Sequence, residues 1–237
     1  DMFSGRSELE LFGKNGYLLD LKPEFEALYD SCPALSIAEN HGSLYYVFAG
    51  FSIQTAVGLT SEWGDRHGWS FEEYESLQAD GDVFRYMDSD IFLFNSFPAL
   101  EKQLIDFDTG TCHFDSEDFI RLLTLSAQQE DTNARRNDDD DSGYPSEAYF
   151  LPSGDIHAAK LTVRSLAEFA SLENRLEQDL TFIGLPTLDG SCGSYLMADR
   201  FYGVNAAGNT DGAIAFLKFL LTDPQVQALA PEYRCFP

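Results

Sequence analysis

The sequence predicts an α/β chain. Two observations carry this. Helix start signals recur along the chain, Ser70 with Glu73 and Ser165 with Glu168, each a capping box in which a hydroxyl and a carboxylate satisfy orphan N–H groups. Between the helical stretches lie short runs rich in aromatic and β-branched residues, and strands alternating with helices are the mark of an α/β fold.

Taken in order, the chain opens on a short segment that ends at Gly16, followed by "YLLDLKPEFEALYD". Pro23 stands near the start of that helix, where a missing N–H costs little. The stretch "GSLYYVFAGFSIQTAVGL" (42–59) reads as two short strands across a bend. A helix is expected to start at Ser70 and to stop by Gly81. "DIFLFNSF" (90–97) is a buried strand or a helix segment, which periodicity alone does not decide. "DSEDFIRLLTLSAQQ" is helical, with Phe119, Ile120, Leu122, Leu123, Ser126 and Ala127 expected on one face and acids in the first turn. The polar stretch 130–147 is a surface loop. "EAYFLPSGDIHAAKLTVRS" reads as two strands around Pro152-Ser153-Gly154. A helix from Ser165 to about Gln178, with Leu166, Phe169, Ala170, Glu173 and Leu176 at helical spacing, leads into the strand "DLTFIG". The loop "GLPTLDGSCGSY" (184–195) follows, then the strand "FYGVNAA". The helix "TDGAIAFLKFLLT" is expected to bury Ala213, Phe216, Leu217 and Leu220. Asp223 as N-cap, with Pro224 after it, opens a last short helix. No internal repeat is visible.

Composition narrows the partners. The 237 residues are 44% hydrophobic and 14% aromatic, which supports a core and argues against disorder. Forty acidic against 15 basic residues give a formal charge of -25. Such a surface repels nucleic acid and anionic membranes. It also disfavours anionic ligands unless a local basic pocket exists, so a neutral small molecule fits best. No apolar run reaches the roughly 18 residues of a membrane span. "DMFSG" has neither the basic nor the apolar region of a signal peptide. Cys32, Cys112, Cys192 and Cys235 are widely spaced with no CxxC, so their pairing is open.

The loop 184–195 is the first place to look for chemistry. It matches neither GxxxxGK[ST] nor a GxGxxG that opens a helix, and it is followed by a strand, so a phosphate cradle is rejected. It is not GxSxG either. Cys192 as a nucleophile would need one of His41, His67, His113 or His157, all upstream of it, so a bending connection between structural units is the better reading. The acidic run 137–143 lacks the alternating ligands, the Gly at six and the Glu at twelve of a calcium loop, and reads as a solvated surface. Cys112 beside His113 has no further ligand at zinc spacing, so no metal is expected, and no cofactor. Carboxylates are too abundant for any pair to stand out as hydrolytic. The aromatics are more informative. Trp63, Trp69, Tyr45, Tyr46, Tyr195 and Tyr202 sit beside glycines or polar residues, as rings that stack on a ligand often do.

Taken together, "TFIGLPTLDGSCGSYLMADRFYGVNAAGNTDGAIAFLKFLLTDPQVQ" from Thr181 resembles a run in the extracellular solute-binding proteins of ABC importers, family 1, the sugar-binding type: strand, G-x-P-T-x-D-G, strand, G-[IV]-[NS], then x-x-A-x-x-F-[IL]-x-F-L-L. "FGKNGYLLDLKP" is similar to that family's A-x-x-G-x-L-x-D-L-x-P. Trp69-Ser70-Phe71-Glu72-Glu73 stands where the family has T-W-[DE]-E, with Phe71 in place of the usual Trp. The resemblance implies a periplasmic-binding-protein-like type II fold: two lobes joined by hinge strands, with ligand held between them. Lobe one would comprise 1–58 and 185–226, and lobe two 59–184, with or without 227–237. Gly184, Pro186 and Gly190 would lie on the return hinge. It further implies capture of a neutral sugar or oligosaccharide by Trp63, Trp69, Tyr195, Tyr45, Tyr46 and Tyr202, delivery to an ABC transporter permease, no enzymatic activity, a monomer, and a place outside the cell membrane: lipid-anchored at the surface of a Gram-positive cell, or periplasmic. The family's chains are longer, so an incomplete first lobe is expected. "GDIHAAKLTV" lacks the Trp the family often carries there. A carbohydrate-active or cysteine hydrolase is the alternative.

Overall fold

The computed structural model describes residues 6–106, 109–132 and 146–229. The acidic run 137–143 and Cys235 lie outside them. The chain divides into two compact units, one falling within Asp1–Ser52 and Met197–Pro237, the other within Ile53–Leu196. The chain therefore passes between units inside two strands, β1 (Val47–Leu59) and β6 (Tyr195–Tyr202). The return lies after Gly184, Pro186 and Gly190, the residues that the resemblance places on it.

The first unit holds α1 (Arg6–Lys14) and α2 (Lys22–Phe25), two 3-10 turns, and, late in the chain, α8 (Thr210–Thr222) and α9 (Pro224–Leu229). Gly16 ends the first helix at φ +78°. Segment 17–19 then pairs with 204–206: Leu19 N–H donates to the Val204 carbonyl at 2.8 Å and Ala206 N–H to the Tyr17 carbonyl at 3.0 Å. The Asp20 carboxylate ties this ladder to the start of the strand region by accepting from Leu44 N–H at 2.9 Å and Lys22 N–H at 3.0 Å. Partial burial raises its pKa, but these backbone bonds outweigh that and leave it below the ordinary carboxylate value. The core gathers Leu9, Leu21, Phe25, Leu35, Leu44, Val47 and Leu217. On α8 only Leu217 of the expected face is fully buried, and Phe216 is 55% exposed. Asp223 precedes Pro224 as expected, and its carboxylate accepts from Gln225 N–H at 2.8 Å.

The second unit holds a small antiparallel pair, β2 (Ile105–Asp106) with β3 (Thr111–Cys112), and a main sheet ordered β4-β1-β5, where β4 is Ala159–Val163 and β5 is Leu180–Phe182; both run antiparallel to β1. β6 also pairs with β1. The register sets Gln54 opposite Thr162 and Ala56 opposite Lys160. A single strand of 13 residues replaces the two expected across 42–59, because Gly50 and Gly58 fit within it without a bend. Gly58 is flat-packed against the Trp63 ring, where a Cβ would come within 2.2 Å.

Around the sheet lie α3 (Thr60–Trp63), α4 (Phe71–Asp80), α5 (Ser89–Leu104), α6 (Glu117–Ala127) and α7 (Leu166–Leu176). The box at Ser70 is complete, with Ser70 N–H on Glu73 Oε2 at 2.8 Å and Glu73 N–H on Ser70 Oγ at 3.2 Å. At α7 the Ser165 hydroxyl caps Glu168 N–H at 3.1 Å. Residues 90–97 are helical within α5, which carries Pro98 in its interior. On α6 the buried residues are Leu122, Leu125 and Ser126, so the core face is turned from the expected one and Ile120 and Leu123 are exposed. Residues 147–150 form a 3-10 turn rather than a strand. The reason is Glu147, whose buried carboxylate takes backbone N–H groups from elsewhere in the unit instead of projecting from a sheet. Two hydrophobic clusters fill the unit: an aromatic one under α4 and α5, and a smaller one between β4, β5 and α7.

Candidate functional site

The six rings expected to meet a ligand divide into two groups. Trp69 is 0% exposed, Trp63 7% and Tyr46 2%. These are core residues, which corrects the sequence reading for them. Trp69 packs edge-on to Trp63 at 5.1 Å and near Tyr74 and Phe84, and its indole N–H donates to the buried Gly184 carbonyl at 2.8 Å. Trp63 donates to the His157 carbonyl at 2.9 Å and carries the Arg66 guanidinium 5.2 Å from its ring. Tyr46 meets Phe201 edge-on at 5.4 Å. A glycine beside a tryptophan marks a place where a ring lies flat on backbone, and here that backbone is the protein's own.

Tyr45, Tyr195 and Tyr202 are half-buried and keep part of their rings accessible. Tyr45 covers Gly13, where a Cβ would fall 2.1 Å from the ring. In the other unit Tyr195 donates its hydroxyl to Asn95 Oδ1 at 3.3 Å, and partial burial raises its pKa.

The loop 184–195 is a packed part of the second unit. Phe71 N–H donates to the Thr187 carbonyl at 2.8 Å, and Thr187 N–H to the Trp69 carbonyl at 3.0 Å. Asp189 turns the chain by accepting from Ser191 N–H at 3.1 Å. Bonds from the Ser191 side chain and backbone hold its pKa below the ordinary value. Gly184 adopts φ +69°, and a Cβ there would lie 2.7 Å from Gly193 N; a Cβ on Gly193 would lie 2.1 Å from the Leu185 oxygen. Two strands of backbone touch, so only glycine fits at both positions. Gly184, Pro186 and Gly190 thus lie within one unit, and the chain passes between units at Ser52/Ile53 and Leu196/Met197.

Cys192 is exposed, and its thiol donates to Ser194 Oγ at 3.3 Å, which in turn lies 2.7 Å from Thr55 Oγ1. Among the described residues no hydrogen bond joins it to an imidazole. His157 Nδ1 meets Glu62 at 2.7 Å, and His67 Nδ1 lies 3.5 Å from the Phe182 carbonyl. Cys32 and Cys112 also carry free thiols. Among the described residues no three His, Cys, Asp or Glu are grouped to hold a metal, and no helix is long and apolar enough to cross a membrane.

The site with converging polar groups is one the sequence reading passed over. A cavity of about 410 Å³ in the second unit is lined by Tyr86, Ser146, Lys160, Thr162, Arg164 and Glu168, among others. Its size lies within the ~300–1,000 Å³ range of small-molecule sites. β4 builds it. Alternate residues of a strand share a face, so Lys160, Thr162 and Arg164 point one way while Ala159 and Val163 point into the core. Thr162 is fixed by donating its hydroxyl to Gln54 Oε1 at 2.8 Å. Glu147 anchors the wall. Its Oε1 accepts from Arg85 N–H at 2.5 Å and Tyr86 N–H at 2.9 Å, and its Oε2 from Lys160 N–H at 2.9 Å. Burial raises its pKa, and the backbone bonds and the Lys160 charge offset only part of that. The signal was present in "AAKLTVR" as apolar residues alternating with Lys, Thr and Arg. A second, more apolar cavity of about 320 Å³ lies in the first unit between Phe12, Tyr17, Leu18 and Gly203–Asn205.

No protein-family profile matches the sequence, and no curated protein matches it. Solved structures do. The fold is similar to that of an extracellular solute-binding protein family 1 from Alicyclobacillus acidocaldarius subsp. acidocaldarius DSM 446, with TM-score 0.60 and 15% identity over 99% of this chain and 63% of that one. A chitin oligosaccharide binding protein gives 0.59 and 16%, over 100% and 65%. The GacH receptor of Streptomyces glaucescens GLA.O, solved unliganded and with acarbose, gives 0.57 and 17%, over 98% and 63%. At these identities the likeness establishes the fold: α/β, of the periplasmic-binding-protein-like type II. The chain spans less than two thirds of the length of each of these neighbours.

Proposed function

We propose that the chain serves as the ligand-capturing component of an ABC importer, and that its ligand is a saccharide. One observation carries this reading: nearly the whole chain follows the fold of proteins whose solved complexes include acarbose and maltotriose. The second-unit cavity adds the chemistry that such a role needs. Tyr86 offers a ring, while Ser146, Thr162 and Glu168 offer groups for hydroxyls. The half-buried Tyr195, Tyr45 and Tyr202 are further candidates for contact. Closure is proposed to bend the chain at its two strand passages, with ligand favouring the closed form by its greater affinity for it. The permease, a monomeric state and a position outside the cell membrane, lipid-anchored or periplasmic, belong to the same proposal.

The thiol geometry at Cys192 gives a hydrolase no support. A saccharide panel read by thermal shift and by product formation tests the proposal with the 237-residue chain. A Tm rise with at least one saccharide, without turnover, is the expected outcome. Turnover abolished by Cys192→Ser would overturn it.

A further inference from the structure

We infer that the second-unit cavity recognises the anionic group of an acidic saccharide, a carboxylate on a sugar ring, through Arg164 and Lys160. This rests on the solute-binding reading above and names the ligand class of its site.

The argument starts from charge. In a chain with 40 acidic and 15 basic residues, a cation finds a carboxylate easily. Lys22 pairs with Glu39, Arg66 with Glu73, Arg121 with Glu72 and Glu75, and Lys218 with Glu24. Arg164 pairs with nothing among the described residues, although it lines a cavity. It shares its strand face with Lys160, so two cations border one small volume.

Glu147 feels the Lys160 charge, so Arg164 is the cation of the cavity without a carboxylate partner among the described residues. Both oxygens of Glu147 are already engaged by three backbone N–H groups, and the side chain is buried in the wall. Glu168, on the first turn of α7, is the acid left at the rim. A carboxylate accepts from sugar hydroxyls, whereas a guanidinium fork donates two parallel bonds to a carboxylate and matches its plane. Arg164 and Lys160 therefore suit the anionic group, and Glu168 with Ser146 suits neighbouring hydroxyls. A surface this acidic repels anions at large. A local basic site is the condition under which an acidic ligand is accepted, and this cavity meets it. The neutral ligand expected from composition gives way here.

The test is titration calorimetry on the 237-residue chain with a panel of uronate disaccharides, their methyl esters, and neutral maltotriose. Esterification removes the charge and keeps the ring. At least one uronate is expected to bind ten-fold or more tightly than its ester. Arg164→Gln should erase most of that preference, with added salt weakening the uronate and not the ester. Equal binding of acid and ester, binding of maltotriose alone, or an intact preference in Arg164→Gln would overturn the inference and leave the solute-binding reading standing. Binding of no saccharide would remove that reading and this one with it. Lys160→Gln, far milder than a backbone change, keeps the test valid should Arg164→Gln fold poorly.

Discussion

Replacing Trp69 with Phe separates a core ring from a ligand ring. The indole is 0% exposed and donates to the Gly184 carbonyl at 2.8 Å. Phenylalanine removes that donor and leaves a buried carbonyl unsatisfied, at a cost of about 1–3 kcal/mol. The smaller ring also leaves a void of roughly 35 Å³, which at about 24 cal/mol per Å³ adds roughly 0.8 kcal/mol. The sum is about 2–4 kcal/mol. Urea unfolding followed by the fluorescence of the remaining Trp63 reads it as a shift in midpoint at constant m-value. Saccharide affinity of the folded variant should change by less than two-fold. A variant within about 0.5 kcal/mol of the parent that loses ten-fold in affinity would refute the reasoning, since the ring would then belong to the ligand.

Two further outcomes follow from caps and burial. Ser70→Ala should cost about 0.5–2 kcal/mol, because the hydroxyl is the acceptor for Glu73 N–H at the start of α4; urea midpoints of the two proteins measure it. Glu147 governs a pH dependence. Its folded pKa lies above the unfolded one, so between those values the folded protein holds a proton that the unfolded chain has released. Stability relative to Glu147→Gln should therefore fall as pH rises above about 4.5 and level off beyond the folded pKa. Paired unfolding curves from pH 4 to 8 check this, and a difference that grows with pH would contradict it.

How far the sequence could be read varies with the physics involved. Caps are local, and Ser70, Ser165 and Asp223 all fall where their side-chain chemistry places them. Gly16 and Gly184 need positive φ and were visible as turns. Burial is not local. Trp69 and Tyr195 have similar neighbours in sequence, yet one ring is sealed under α4 and the other half-open beside Asn95. Residues 147–150 looked like a strand because Ala, Tyr and Phe suit one. What prevents it is a carboxylate whose partners lie elsewhere in the chain. The same partners concealed the cavity, since Lys160 and Arg164 gain meaning only when the segments holding Tyr86 and Ser146 come to face them. The glycines of 184–190 read as a hinge by sequence, whereas Gly184 is packed on the backbone of Gly193 and the passage between units falls at Leu196/Met197.

Glu147 also ties together segments that are far apart in the chain. The groups it holds stand 62, 61 and 13 residues away in the chain. Loops of such length must close before the carboxylate has anything to bind. Until then it is an acid moving out of water with no compensation. The cavity wall therefore cannot be transplanted as a short motif. A loop carrying 146–164 moved to another scaffold would bring the cations of the cavity and the Lys160 amide, and leave behind the Arg85 and Tyr86 amides that hold the other oxygen of Glu147.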